Sequence, residues 1–177
     1  MPQDKIETKR HEALLTEFEW SLWRISSAFL RWQGECSSQL TDTPFSGHDT
    51  AILHTIRYRG RPKGLSEICR LLGREDTSNV QYSIKKLLSV GLIERLDGRS
   101  RKETLYRTSA KGLKLTHEYR RLREELLVSL VHRMSDAEPH LVSTTETLEL
   151  LTGFYESALR RISSDNPAAR DLRRKAP

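Results

Sequence analysis

Apolar side chains return along the start of the chain at Leu15, Phe18, Leu22, Ile25, Phe29 and Trp32. Steps of three and four mark one helical face, and the spacing predicts a helix from about Lys5 to Leu40. Leu14, Trp20 and Trp23 lie off that stripe, so this helix has more than one partner to meet. Pro44 and Gly47 break the pattern, and Ser46 suits the N-cap of a second helix reaching about Tyr58. A short basic turn, Arg59 to Gly64, follows. Two further helices are predicted. The first is Leu65 to Leu72, with Ile68, Leu71 and Leu72 inward and Gly73 as its stop. The second is Thr77 to about Val90, with Val80, Ile84, Leu87 and Leu88 inward and Gly91 after it.

The period then changes from 3.6 to 2. Leu92 to Leu96 reads as a strand and Thr104 to Thr108 as its return, with Asp97-Gly98 as a hairpin signal between them. Ser109 opens a long helix to about Met134, carrying Leu115, Tyr119, Leu122, Leu126 and Leu130 on one face. Ser135 and Asp136 suit the cap of a last helix to about Ser163. Leu148, Leu151, Tyr155, Ala158 and Ile162 form a coiled-coil-like seam along it. The polar tail beyond is expected to be disordered. The expected fold is mainly α with a small β-hairpin wing: a winged helix-turn-helix between long N- and C-terminal dimerisation helices. The expected division is 1–46 for the N-terminal dimerisation helix and linker and 47–111 for the winged lobe. Residues 112–163 would complete the dimerisation region, and 164–177 the tail.

Composition sharpens this. The chain has 177 residues, 36% apolar and 31% charged, a lean core that favours sharing with a partner chain. Its net charge is +6, which admits nucleic acid or an anionic membrane. That charge is unevenly placed. Between Arg57 and Lys111 there are 14 Lys or Arg against 6 Asp or Glu, a net of +8, while the rest of the chain carries −2. A membrane-binding protein would set its cations on an amphipathic helix; here they gather around the winged helix, and DNA is the expected partner. No apolar run of 18 residues occurs, Met1 to His11 lacks a signal-peptide core, and two cysteines suit a reducing compartment. A cytoplasmic protein with no membrane partner is expected.

The predicted second helix of the helix-turn-helix leaves Thr77, Ser78, Asn79, Gln81, Tyr82, Lys85 and Lys86 outward once its apolar face is buried. Asn and Gln can pair bidentately with adenine, Ser and Thr serve base edges or phosphates, and Lys binds phosphate. The first turn of such a helix reaches the bases. Arg99, Ser100, Arg101 and Lys102 occupy the hairpin tip. Hairpin geometry asks for Gly or Asn there and has no need of three cations, whereas a narrow minor groove attracts them.

The runs Leu87-Leu88-Ser89-Val90-Gly91-Leu92-Ile93-Glu94-Arg95, Asp97-Gly98-Arg99-Ser100-Arg101 and Thr108-Ser109-Ala110-Lys111-Gly112 occur in an order that resembles the MarR family of bacterial winged-helix regulators. The resemblance covers roughly residues 10 to 163. It implies a homodimer built from the terminal helices, binding a palindromic operator as a repressor and releasing it when a small effector binds. It also implies a pocket between the dimer helices and the DNA-binding lobe. Trp20, Trp23, Arg24, Ser27, Phe45, His48 and Tyr58 combine aromatic walls with polar groups and are the candidates to line it, core packing being the alternative for each. The basic turn Arg59 to Gly64 and the Thr108-Ser109 pair depart from the family's usual pattern.

Other chemistry is not indicated. The six histidines show no ligand spacing and no C-x-x-C occurs, so no metal or cofactor is expected. No G-x-S-x-G or phosphate-binding glycine loop is present, and no catalytic residues are assigned. Cys36 and Cys69 read as structural. The competing function is a winged-helix protein-interaction or adaptor module without sequence-specific DNA binding, against which the basic hairpin tip argues.

Overall fold

The computed structural model describes residues 2–97 and 104–165. It divides into two compact units, Met1–Glu125 and Leu126–Pro177.

The first unit opens with α1, Pro2–Leu40, about 58 Å long. Only its last turns are enclosed by the rest of the unit, through Gln33, Cys36 and Ser37. Ser37 shares a 2.6 Å hydrogen bond with Thr50 of the next helix, α2 (Gly47–Arg57). A one-turn 3-10 segment, Tyr58–Gly60, leads to β1 (Lys63–Gly64). The helices α3 (Leu65–Leu71) and α4 (Thr77–Ser89) follow, then β2 (Ile93–Asp97), β3 (Thr104–Thr108) and α5 (Ala110–Arg123). Apolar residues from α2, α3, α4 and β2 close the core, with Ile52, Ile56, Ile68, Val80, Leu87 and Leu92 almost wholly shielded from solvent.

The sheet is antiparallel with strand order β1-β3-β2. Its hairpin pairs Ile93 with Thr108 and Asp97 with Thr104. The third strand was not expected: the end of the basic turn pairs along β3, Lys63 with Tyr106 and Gly64 with Leu105. Lys63 is 1% exposed. Its ammonium donates to the carbonyls of Ile56 (2.9 Å) and Arg61 (3.1 Å) and also to that of Tyr58. It thereby satisfies carbonyls that the end of α2 leaves without helical partners. Leu71, expected inward, is 40% exposed; α3 has only two turns, and its last residue borders a surface hollow with His54, Thr55 and Tyr58.

After α5 the backbone widens to π spacing over Glu124–Val128 and closes with the short α6, Ser129–Val131. The long helix expected to about Met134 therefore ends three residues early, and tighter bonds from Arg133 and Met134 to Leu130 and Val131 finish it. The second unit is dominated by α7, Ala137–Asp165, which starts after Asp136 at φ 55°. The tail beyond Asp165 lies outside the described residues. Leu141, Val142, Leu148, Leu150, Phe154, Tyr155, Leu159 and Ile162 are all exposed on α7.

Candidate nucleic-acid interface

The outer face of α4 is built from its cap upward. Asp76 accepts the backbone N–H groups of Ser78 (3.0 Å) and Asn79 (3.3 Å) and the side-chain amide of Asn79, satisfying donors that open every helix. Val80, Ser83, Ile84 and Leu87 are buried beneath. Thr77, Ser78, Asn79, Gln81, Tyr82 and Lys85 are all exposed, Tyr82 at 70%. These six outward positions form one polar surface without an acidic residue.

Lys86 departs from the expected set. Its ammonium lies 2.9 Å from Asp49 of α2 and 5.0 Å from the centroid of the Phe45 ring. The charge turns back into the protein, because the α2–α4 contact holds a buried carboxylate that needs it. Asp49 also accepts Ser83 Oγ at 2.6 Å and the backbone N–H of Ser46 at 3.0 Å, while Ser46 Oγ accepts the N–H of Asp49. Burial works to raise the Asp49 pKa, and the hydrogen bonds from Ser83, Lys86 and Ser46 outweigh it, holding the carboxyl below its usual range. One side chain therefore caps α2 and staples α4 to it. The Ser46-x-x-Asp49 spacing is a capping-box signature and was the available signal; the link to α4 had none.

Arg95 donates to Thr104 Oγ1 at 3.0 Å across the hairpin, and Arg107 pairs with Glu94 at 2.8 Å. The hairpin-tip candidates Arg99, Ser100, Arg101 and Lys102 lie outside the described residues. At the hairpin's base, Ser109 accepts the N–H of Gly112 (3.0 Å), donates to the Gly91 carbonyl (2.6 Å), and places its own N–H on Leu92 (3.1 Å). Lys111 reaches the Val90 carbonyl at 2.9 Å. The Thr108-Ser109 departure thus supplies the cap of α5 without disturbing strand register.

The seven residues proposed to line one effector pocket fall at separate places. Trp20, Trp23, Arg24 and Ser27 border a shallow groove along α1, Trp20 and Trp23 standing edge to face at 5.2 Å. Phe45 is in the core. His48 lines a polar hollow beside α4, and Tyr58 a different hollow with His54. Among the described residues these seven lie on separate surfaces or in the core, the α1 tryptophans lying well ahead of the helix's contact with α2. In the basic turn Lys63 is buried and Arg61 is paired with Glu67.

Among the described residues no group of His, Cys, Asp and Glu could hold a metal ion, and no helix is long and apolar enough to cross a membrane. Cys36 and Cys69 are buried thiols; burial, with Glu35 nearby, pushes the Cys36 pKa up. His54 packs on Tyr119 with centroids 4.6 Å apart, and Tyr119 accepts the Trp32 indole N–H at 3.2 Å. Burial, then the charges of Arg57 and Arg123, lowers the His54 pKa to about 4.

Residues 45–112 match the family model of a winged helix DNA-binding domain. Among solved structures, the chain is similar to mutant MarR from E. coli complexed with operator DNA. The two are 18% identical, the match covers 78% of this chain and 94% of that one, and the TM-score is 0.61. It is also similar to the MarR family transcription regulator SP03579 (16% identity, 87% and 95% covered, TM-score 0.65). A third likeness is to RV1404 from Mycobacterium tuberculosis (23% identity, 77% and 88% covered, TM-score 0.53). The comparison with curated proteins found no match.

Proposed function

We propose, from a winged helix DNA-binding domain set in the fold that the MarR-family structures share, that this chain is a sequence-specific transcriptional regulator of the cytoplasm. The observation that carries the reading is the outer face of α4, six exposed groups able to hydrogen-bond with no acid among them, held in place by a buried ionic staple. Thr77, Ser78, Asn79, Gln81 and Tyr82 read base edges in the major groove, and Lys85 takes a phosphate. Arg99, Arg101 and Lys102 enter the adjacent minor groove, with Ser100 on the backbone. The protein acts as a homodimer through its terminal helices, setting two α4 helices one turn of DNA apart, about 34 Å, on a palindromic operator. It represses by occupying that operator and leaves it when a small effector binds.

Selection of binding sites from random duplex DNA tests this. A palindromic consensus is expected, bound ever more weakly as salt rises. In gel-shift titrations, Arg99→Ala with Arg101→Ala should weaken binding broadly while leaving the dimer intact. Asn79→Ala or Gln81→Ala should instead relax preference at particular positions. Recovery of no preferred sequence would favour a protein-docking winged helix.

A further inference from the structure

Beside the base-reading row of α4 lies a surface hollow of about 480 Å³, bordered by His48, Asp49, Arg74, Asn79, Tyr82 and Lys86. Three separate segments meet there: the first turn of α2, the turn between α3 and α4, and α4 from Asn79 to Lys86. Arg74 is half-buried. Only its backbone is engaged, through a 2.9 Å bond to the Cys69 carbonyl; no partner is recorded for its guanidinium among the described residues. The His48 ring and the Tyr82 hydroxyl are exposed and likewise without a recorded partner there. A half-buried arginine can pack its stem on the protein and keep its charged head open to an anion.

The carboxylate in this hollow does not oppose an anion. Asp49 is enclosed by Ser83, Lys86 and the Ser46 N–H, and its side chain is 6% exposed against 28% for Lys86. Lys86 is the more exposed partner of that pair. A guanidinium and an imidazole bordering one recess suit a tetrahedral oxyanion. Phosphates flank every base step that an α4 helix could read.

We propose that this hollow seats one DNA backbone phosphate, with Arg74 as its main ligand and His48 as a secondary donor. The proposal rests on the DNA-binding reading of α4 and deepens it. The phosphate contact sets the depth and register of α4 in the groove, and Lys86 contributes by neutralising Asp49 instead of meeting the strand.

The test uses the full-length protein and its selected operator. Arg74→Ala should weaken binding roughly ten- to a hundredfold, to operator and unrelated DNA alike, and should reduce the slope of log K against log salt by about 1. Operators carrying one neutral methylphosphonate linkage at successive positions locate the phosphate. At one position per half-site the neutral linkage should weaken wild type and leave Arg74→Ala unaffected. An unchanged slope, or equal sensitivity of both proteins at every position, overturns the proposal. Saturation of the hollow by inorganic phosphate, followed by NMR without DNA, together with an unchanged DNA slope for Arg74→Ala, would mark a free-anion site and also overturn it. Failure of the seat is separable from failure of sequence reading. Loss of slope in Arg74→Ala on DNA of any sequence supports the seat even where selection yields no consensus.

Discussion

Asp49 and His54 sit on the same helix, face different surroundings, and respond to acid in different windows. His54 has a folded pKa of about 4 against 6.5 ordinarily, so the unfolded chain binds the extra proton first. Its contribution is complete above pH 6.5 and is lost as pH falls towards 4, up to about 3 kcal/mol in all. Urea unfolding from pH 7.5 to 4.5 should show falling stability, and His54→Phe should flatten that slope; an unchanged slope would shift the cause elsewhere. The Asp49 carboxyl is held below its usual range, so its contribution is present above the unfolded value and disappears only in stronger acid. Asp49→Asn keeps the shape but leaves Lys86 beside a neutral amide. We expect a loss of about 1–3 kcal/mol at pH 7, read as a lower Tm, together with weaker DNA binding because α4 is less firmly seated.

Helix α5 joins the wing through a contact too close for any side chain. A Cβ added to Gly112 would lie 2.1 Å from the Leu92 carbonyl oxygen, a backbone atom that cannot swing away. Gly112→Ala should therefore destabilise by at least the 1–3 kcal/mol typical of overpacking. Calorimetry checks this, with Leu113→Ala on the exposed side of the same helix as the control. The Lys111-Gly112 pair was visible in the sequence as part of a resemblance; the backbone contact that demands glycine was not. Lys63 teaches the same lesson from the opposite direction. In sequence it is one more cation in a basic turn, but in the fold it is a buried donor to three carbonyls. Lys63→Met should cost about 1–3 kcal/mol in chemical denaturation while leaving the salt slope of DNA binding unchanged, the reverse of the pattern expected for Arg74→Ala.

At the scale of the molecule, each unit exposes an apolar helix face. On α1, Ile25 is 62% and Phe29 52% exposed, and the α7 seam shows Leu148 and Ile162 at 38% and 70%. Exposed apolar side chains on one helix face suit an interaction surface, and a second copy covering them is part of the proposed function. Light scattering should give twice the 20.5 kDa chain mass. Leu148→Glu with Ile162→Glu should yield a monomer whose DNA affinity falls by two or more orders of magnitude, as expected when linked half-sites are no longer engaged together. A dimer that persists would move the interface off α7.

Hydrophobic period, turn residues and the local excess of cations suffice, with no coordinates, to place the helices, the wing hairpin, the outward row of α4 and the basic lobe. These are properties of neighbours along the chain, and 3.6- and 2-residue repeats record them directly. Contacts between distant segments leave no such record. That Asp49 neutralises Lys86, that Lys63 caps α2 from within, that the Arg74 guanidinium meets no acid among the described residues, and that seven candidate pocket residues lie on separate surfaces or in the core were decided by tertiary structure alone. In each case the role of a charged or aromatic side chain depends on which remote backbone or counter-charge the fold brings within about 3 Å.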